Sequence, residues 1–171
     1  MNDDKVILDA TCGSRMMWFN KKHPAVLYVD KRCLHDEAIW KSGNGKSTRY
    51  VNIEPDVIAD FTNLPFADNS FHLVVFDPPH LLKIGETSWM VKKYGKLDEG
   101  WRQTIYDGFW ECMRVSKPYG TLIFKWCEFD IPVSEIIKTI NMEPLFGHRS
   151  GKQSKTHWMT FMKFPEDGES K

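Results

Sequence analysis

Four consecutive residues have the composition of a reaction centre. Asp77, Pro78, Pro79 and His80 follow an apolar run, residues 72–76, that is typical of a buried strand. Asp77 brings a carboxylate, and Pro78 brings a backbone carbonyl in a turn that the proline rings fix and that lacks competing N–H donors. Two such acceptors can take both hydrogens of an amine. His80 adds a ring that can stack, form a hydrogen bond or accept a proton.

Three further aspartates also end short apolar, β-branched runs. These are Asp9, Asp30 and Asp60, and the carboxyl ends of parallel strands meet at one edge of a sheet, where ligands bind. Asp30 ends the second run, where a carboxylate can accept hydrogen bonds from the two hydroxyls of a ribose. Gly13 follows the first run and allows the backbone to approach a ligand closely. The sequence therefore predicts a nucleotide-type ligand at this edge.

The apolar pattern along the chain alternates between strands and helices. It predicts strands at 5–10, 25–30, 56–60, 72–77 and 121–126, helices at 15–20, 35–41, 101–115 and 133–142, and a final pair of strands at 144–148 and 157–164. This order favours an α/β, Rossmann-like fold. We expect a mostly parallel sheet of seven strands with a C-terminal antiparallel hairpin and helices on both faces.

The composition fits a single globular domain over residues 1–171. The chain is 42% hydrophobic and 27% charged, which is outside the range of disordered proteins. Its 23 basic and 23 acidic residues give no net charge, so a polyanionic partner would have to bind local patches. Scattered cysteines, short apolar runs and the absence of a cationic leader predict a soluble cytoplasmic protein with free thiols. Residues 165–171 are expected to be mobile.

The residues quoted so far resemble the class I S-adenosylmethionine-dependent methyltransferases, and among them the amino-methyltransferases of DNA and RNA. Residues 75–80 are similar to the family's tetrapeptide of Asp, Asn or Ser, then two prolines and an aromatic residue. Residues 7–14 resemble its cofactor loop, with one glycine where the family has several. Asp60 and Phe61 resemble the segment whose acid contacts the adenine amino group of the cofactor. The resemblance covers roughly the whole chain, whose small size suits a phage-like form.

The resemblance implies S-adenosylmethionine as the cofactor and a base exocyclic amine as the methyl acceptor. Such an amine is a weak nucleophile because its lone pair is delocalised, and two hydrogen-bond acceptors favour the localised form. His80 stands where the family has a ring that stacks on the target base. The implied catalytic residues are Asp77, Pro78, Pro79 and His80. The implied cofactor-binding residues are Asp9, Ala10, Thr11, Cys12, Gly13, Asp30, Lys31, Asp60, Phe61 and Asp77.

Two basic segments are candidates for contact with a nucleic acid. Residues 81–100 are too long for a simple connection and are expected to form a lid or a target-recognition loop. Residues 145–164 combine basic and hydroxyl side chains, which suit phosphate groups. The candidate substrate-binding residues are Trp89, Lys92, Lys93, Tyr94, Arg149, Lys152 and Lys155. The alternative in both segments is a set of solvent-facing lysines.

The substrate stays open among several alternatives. Adenine N6 in DNA is the first expectation, and a base amine in RNA (guanine N2 or adenine N6), a small molecule, or a non-catalytic binding module are the others. Gly45-Lys46-Ser47 lacks the upstream glycine of a phosphate-binding loop, since Trp40 stands there. The glycine fingerprint of nicotinamide-binding proteins is absent, and no metal-ligand spacing occurs. We therefore expect a nucleic-acid partner, no membrane and no metal.

Overall fold

The computed structural model describes residues 4–151 and 153–165. In chain order its elements are β1 (Ile7–Asp9), β2 (Val26–Asp30), β3 (Leu34–Lys41), β4 (Thr48–Ile53), β5 (Val57–Ile58), β6 (Phe71–Phe76), α1 (Trp89–Tyr94), α2 (Trp101–Val115), β7 (Ser116–Cys127), α3 (Val133–Ile140), β8 (Phe146–Arg149) and β9 (Thr156–Met162). Lys152, predicted to contact substrate, and most of the tail predicted to be mobile, residues 166–171, lie outside the described residues.

Seven strands form the main sheet in the order β5-β2-β1-β6-β7-β9-β8. The pairs from β5 to β7 are parallel, whereas β9 runs antiparallel to both β7 and β8. This topology confirms the predicted fold class, a mostly parallel Rossmann-like sheet with a C-terminal antiparallel hairpin. The carboxyl ends of β1, β2 and β6 lie side by side, because β1 pairs with both of its neighbours.

The helix predicted over residues 15–20 is wrong. Arg15 has a left-handed backbone with φ of 55°, and its amide donates to the Cys12 carbonyl at 2.7 Å. The Trp18 amide then donates to the Arg15 carbonyl at 3.2 Å, so the chain runs through successive turns. A left-handed residue is incompatible with a right-handed helix at that point. The turns bring the Trp18 ring edge-on to Tyr28, with 5.6 Å between ring centroids.

The helix predicted over residues 35–41 is also wrong. This segment is β3, which pairs antiparallel with β4 in a separate two-stranded sheet. Residues 43–45, interpreted from sequence as a helix stop, form the turn between the two strands, where Gly45 has φ of 71°. The segment is shorter than a typical helix, so its apolar pattern fits a helix or a strand equally well. Its pairing with β4 makes it a strand. The two strands are named the β3–β4 hairpin below.

The segment predicted to be a lid or recognition loop, residues 81–100, contains the short helix α1. The Ser88 hydroxyl oxygen accepts a hydrogen bond from the Met90 amide at 3.3 Å and caps the first turn. Gly95 ends the helix with φ of 77°, and its amide donates to the Val91 carbonyl at 2.8 Å. A Cβ added at Gly95 would lie 3.0 Å from Pro79 Cγ, so the glycine packs closely on this proline. This contact joins the end of α1 to the predicted catalytic turn.

The two longer helices, α2 and α3, pack on each other beside the same face of the sheet. Phe109 of α2 is fully buried in this main core together with Phe124 of β7. Successive residues of a strand point to opposite faces, so Val29 joins the main core while Tyr28 joins a smaller cluster with Trp18 on the other face. No helix within residues 4–151 and 153–165 is long and apolar enough to cross a membrane.

Candidate active site

A cleft lies at the carboxyl ends of β1, β2 and β6, where the sequence predicts a ligand. It brings together eleven of the predicted site residues: Ala10, Thr11, Cys12, Gly13, Asp30, Lys31, Phe61, Asp77, Pro79, Lys93 and Tyr94. The end of α1 borders the cleft through Lys93, Tyr94 and Gly95. Predicted cofactor-binding, catalytic and substrate-binding residues therefore share one opening.

Asp77 follows β6 and is held in place by two contacts. Its amide donates to the Thr11 hydroxyl oxygen at 2.8 Å, which ties it to the loop after β1. The Lys125 ammonium of β7 lies 2.6 Å from Asp77 Oδ2. Phe76 pairs with Phe124 in the sheet, so Asp77 and Lys125 are the next residues of the two parallel strands. Burial raises the pKa of Asp77, while the charge and hydrogen bond of Lys125 lower it.

The His80 ring lies beside the cleft and is not among the residues that line it. It is partly buried between Tyr94, at a centroid distance of 6.0 Å, and Trp126, at 6.4 Å. Burial lowers the pKa of His80, although the Asp77 carboxylate opposes the shift. His80, the last of the four predicted catalytic residues, is therefore mostly neutral near pH 7 and lies beside the cleft and not in its lining.

The Asp30 carboxylate is buried and fully hydrogen-bonded. Oδ2 accepts from the Gly13 amide at 3.0 Å and from Arg32 Nη2 at 3.1 Å. Oδ1 accepts from the Arg32 amide at 2.9 Å and from Arg32 Nε at 3.0 Å. A carboxylate has about four lone-pair sites, so these bonds occupy all of them. A ribose diol can bind Asp30 only if it displaces Arg32.

The same Arg32 side chain also contacts the end of α1. Its Nη1 donates to the carbonyl oxygens of Lys92 and Lys93 at 3.4 Å and 3.5 Å. Cationic donors satisfy the free carbonyls at the end of a helix. Arg32 therefore connects the acid at the end of β2 to the segment that borders the cleft.

No protein-family model matches the chain, and no curated protein matches it. Among solved structures, it is similar to a protein of Pyrococcus horikoshii OT3, with 12% identity over 92% of this chain and 81% of that chain, and a TM-score of 0.54. It is similar to a SAM-dependent methyltransferase of Methanosarcina mazei, with 13% identity over 97% of this chain and 95% of that chain, and a TM-score of 0.50. It is also similar to the antibiotic-resistance methyltransferase Kmr, with 13% identity over 94% of this chain and 87% of that chain, and a TM-score of 0.51.

The chain has the Rossmann-like fold of S-adenosylmethionine-dependent methyltransferases. In this methyltransferase fold the cleft described above lies where the strands β1, β2 and β6 end. Within the described residues, no group of three or more His, Cys, Asp or Glu side chains is arranged to hold a metal ion.

Two predicted cofactor-binding acids lie outside the lining of the cleft. Asp9 is fully buried behind it, where Oδ2 accepts from the Trp18 indole at 2.6 Å and Oδ1 from the Thr11 amide at 3.2 Å. Burial raises the pKa of Asp9 to about 7. Asp60 caps its own turn by accepting from the Thr62 amide at 3.0 Å, and it pairs with Lys31 at 3.7 Å. In this methyltransferase fold both acids stabilise the loops around the cleft.

The predicted substrate-binding residues are dispersed. Besides bordering the cleft, Lys93 shares a second groove with Trp89. Lys92 instead pairs with Glu37 of β3 at 2.9 Å. At the β8 edge of the sheet, Arg149 pairs with Glu128 at 2.8 Å. The Lys155 ammonium, between β8 and β9, lies 4.9 Å from the centroid of the Phe129 ring.

Two residues that contact the predicted site acids were missed from the sequence. Lys125 is the only charged residue in the otherwise apolar run 121–126, and that anomaly is a usable signal. Arg32 follows Asp30 by two residues, within reach of its carboxylate. Neither residue belongs to a motif, because both act through side-chain geometry that the methyltransferase fold creates.

Proposed function

We propose that the chain is an S-adenosylmethionine-dependent methyltransferase that acts on an exocyclic amine of a nucleic-acid base, with adenine N6 in DNA as the first substrate. One observation carries the proposal: Asp77, at the end of β6, lines the same cleft as Gly13 and Asp30. A methyl acceptor at Asp77 and a cofactor at Gly13 and Asp30 would share one space. Closeness and orientation of the two reactants supply much of the rate of such transfers.

The cleft residues fit the parts of this cofactor. A Cβ added at Gly13 would meet no atom within 4 Å, so the backbone there is open to close approach by a ligand. Phe61 offers an apolar wall for the adenine ring, and Asp30 offers a carboxylate for the ribose once Arg32 moves aside. When bound, S-adenosylmethionine supplies an electrophilic methyl group on a positively charged sulfur.

Asp77 lines the cleft and supplies one of the two acceptors that an amine requires. Pro78 is buried next to it and is not among the lining residues, and its carbonyl oxygen would supply the second acceptor. Lys125 occupies Asp77 Oδ2, whereas Asp77 Oδ1 and the Pro78 carbonyl oxygen accept no hydrogen bond from the described residues. An amine that donates one hydrogen to each keeps its lone pair on nitrogen. A bound S-adenosylmethionine would supply the methyl group to the amine nitrogen, and its sulfur would keep the electron pair of the broken carbon–sulfur bond. The product amine then loses one proton to Asp77 or to water.

Burial raises the pKa of Asp77, and the charge and hydrogen bond of Lys125 offset part of that rise. A raised pKa favours the neutral form of the carboxyl group, which is a poorer acceptor. The ammonium on Oδ2 stabilises the carboxylate while leaving Oδ1 available to the amine. Lys125 is therefore a positioning residue for the catalytic acid.

A small-molecule methyltransferase is the second candidate, and Lys125 is the observation that favours it. Its ammonium lines the cleft and would attract a carboxylate or phosphate of a small substrate. Such a group would compete with Asp77 for Lys125, and Asp77 would not need to contact the methylated atom. The two candidates differ in which substrate receives the methyl group.

A transfer assay tests the proposal. The protein is incubated with methyl-labelled S-adenosylmethionine and, in separate reactions, with unmethylated DNA, total RNA and a metabolite extract. Labelled polymers are digested to nucleosides and separated. The expected product is N6-methylated deoxyadenosine.

The other outcomes have definite meanings. Label in an N-methylated nucleoside of RNA moves the substrate to RNA and leaves the amine chemistry unchanged. Label that appears only among small molecules replaces the first candidate with the second. Cofactor binding without any labelled product contradicts the proposed enzyme activity.

A further inference from the structure

A second groove lies between the turns that follow β1 and the β3–β4 hairpin. Its volume is about 640 Å³. Four of its lining residues, Gly13, Ser14, Met16 and Lys93, also line the cleft that holds Asp77. A ligand lying in this groove would therefore continue directly into the candidate active site. The name hairpin groove is used for it below.

The hairpin groove is strongly basic although the chain as a whole is neutral. The chain has 23 basic and 23 acidic residues. In contrast, the ionisable residues that line the groove are Arg15, Lys21, Lys22, Arg49 and Lys93 on the basic side and Glu54 alone on the acidic side. A local excess of cations of this kind attracts an anionic ligand.

Most of these cations are available for a ligand. Lys21, Lys22, Arg49 and Lys93 form no ion pair with any carboxylate in the part of the chain that the structure describes. Some basic residues elsewhere on the surface are paired, among them Lys92, Lys96, Arg102 and Arg149, whereas the exposed Lys41, Lys46, Lys83 and Lys155 form no ion pair within the described residues. Arg15 differs from the other groove cations because it pairs with Asp56 at 3.3 Å and donates to the Lys21 and Glu54 carbonyls, so its role is structural. Arg49 and Lys93 lie over the rings of Trp40 and Tyr94 at 5.3 Å and 5.0 Å and remain unpaired with carboxylates of the described residues.

Two exposed aromatic side chains accompany the cations. Tyr50 of β4 is 59% exposed, and Trp89 at the start of α1 is 36% exposed. The buried side chain of Val51 contributes to the same lining. Aromatic rings beside unpaired cations are the combination that binds single-stranded nucleic acid, since bases stack on the rings while the cations contact phosphates. A duplex keeps its bases stacked inside and cannot use the rings.

We propose that the hairpin groove binds a single-stranded segment of nucleic acid, with phosphates at Lys21, Lys22 and Arg49 and bases stacked on Tyr50 and Trp89. The shared lining with the cleft places a neighbouring nucleotide of that strand at Asp77. This inference rests on the proposed function for the fate of that nucleotide. Strand binding itself requires neither cofactor nor chemistry, so it is measured separately.

Fluorescence anisotropy with a labelled, mixed-sequence single strand of about 15 nucleotides tests the groove. RNA and DNA strands and the matching duplexes are titrated at several salt concentrations. The variant Lys21→Ala/Lys22→Ala is expected to weaken strand binding by about tenfold and to reduce the slope of log affinity against log salt by about 1.4, because two phosphate contacts of about 0.7 each are lost. The matched control Lys117→Ala/Lys138→Ala, at the other end of the sheet and on α3, should leave both values unchanged.

Substitutions of Tyr50 test the stacking of bases separately from the phosphate contacts, because they do not change the charge of the groove. Tyr50→Ala should weaken binding of single strands by about tenfold, whereas Tyr50→Phe keeps the stacking surface and should bind like the wild type. Thermal melting verifies that each variant is folded. Equal loss in the groove and control variants, tighter binding of duplexes than of single strands, or unchanged affinity in Tyr50→Ala would each overturn the groove proposal.

The groove and the enzyme activity can fail separately. Strand binding with the expected dependence on Lys21, Lys22 and Tyr50, but without methyl transfer to any base, contradicts the proposed function and leaves the groove intact. Methyl transfer to a base that the groove variants do not impair, with no measurable strand binding, overturns the groove and leaves the function intact.

Discussion

The Lys125 ammonium lies 2.6 Å from the carboxylate oxygen Oδ2 of Asp77, across the adjacent parallel strands β6 and β7. Both side chains line the cleft, with about a quarter of each exposed. Burial raises the pKa of Asp77, and Lys125 offsets part of that rise. The reactivity of the cleft should therefore depend on Lys125 through the ionisation of Asp77.

Replacing the cation should change the pH dependence of methyl transfer. In Lys125→Met the pKa of Asp77 loses the partner that lowers it, so the acidic limb of the pH–rate profile should move to higher pH. Lys125→Arg keeps the charge and should retain a profile close to that of the wild type. An acidic limb that stays in place in Lys125→Met would show that Asp77 ionisation does not limit the reaction.

The four hydrogen bonds on Asp30 predict that Arg32 competes with the cofactor. Arg32→Ala frees two lone-pair sites on Oδ2 and Oδ1 that a ribose diol can use. The dissociation constant for S-adenosylhomocysteine, measured by calorimetry, should fall by about fivefold, equivalent to about 1 kcal/mol. Asp30→Asn should weaken binding instead. Weaker binding by Arg32→Ala would mean that Arg32 itself contacts the cofactor.

Asp9 should make the protein less stable as pH rises. Burial raises its folded pKa from 3.8 to about 7, so the folded state keeps a proton that the unfolded state loses above about pH 4. The free energy of unfolding should therefore decrease through this window by roughly 1.4 kcal/mol per pH unit. The decrease is complete above pH 7. Asp9→Asn removes this titration.

Urea unfolding of wild type and Asp9→Asn between about pH 5 and pH 8 measures the effect. The two proteins share every other titrating group, so the difference between their unfolding free energies isolates Asp9. That difference should shift in favour of Asp9→Asn as pH rises. Trp18→Phe removes the indole donor and should extend the decrease of stability to higher pH. A difference that is independent of pH contradicts the raised pKa.

Gly108 of α2 leaves room for a ring that lines the cleft. A Cβ at this position would lie 2.5 Å from Phe61 Cδ2 and 3.0 Å from Phe76 Cζ. Gly108→Ala should destabilise the fold by about 1 to 3 kcal/mol despite the helix preference of alanine, and it should weaken cofactor binding by displacing Phe61. Gly43→Ala meets no atom within 4 Å and serves as the control. Melting and calorimetry report the two effects.

The sequence predicted the central sheet because its strands are short apolar runs with clear limits. The helix predicted over 101–115 has the bounds of α2, since its apolar residues recur at a helical period over several turns. These elements bury one side regardless of their neighbours. Local pattern was therefore sufficient for the strands that carry Asp30 and Asp77.

The face of the sheet away from α2 and α3 could not be predicted in the same way. Residues 35–41 became β3 only because β4 pairs with them, and the turn at Gly45 reverses the chain between the two. Arg15 adopts a left-handed conformation while its guanidinium donates to the Lys21 and Glu54 carbonyls. Such long-range contacts leave no periodic signal in the sequence.

The motif at Asp77 was visible, but the state of the site was not. Lys125 forms an ion pair with Asp77 that lowers its pKa, and Arg32 occupies Asp30 sites that a ligand would need. Both contacts are hydrogen bonds between side chains, and their lengths of 2.6 Å and 3.0 Å are fixed only in the folded chain. Sequence spacing could place the two acids at one edge of the sheet and could not assign their partners.

The role of Asp77 in methyl transfer is tested most directly by comparing Asp77→Ala with the wild type in two measurements on the same preparation. One is methyl transfer from labelled S-adenosylmethionine to the substrate found for the wild type, and the other is the dissociation constant of S-adenosylhomocysteine. Transfer by Asp77→Ala should fall by at least about a hundredfold while the dissociation constant changes little. Transfer at the wild-type rate by a folded Asp77→Ala protein would contradict the assignment of Asp77 as the residue that holds the amine.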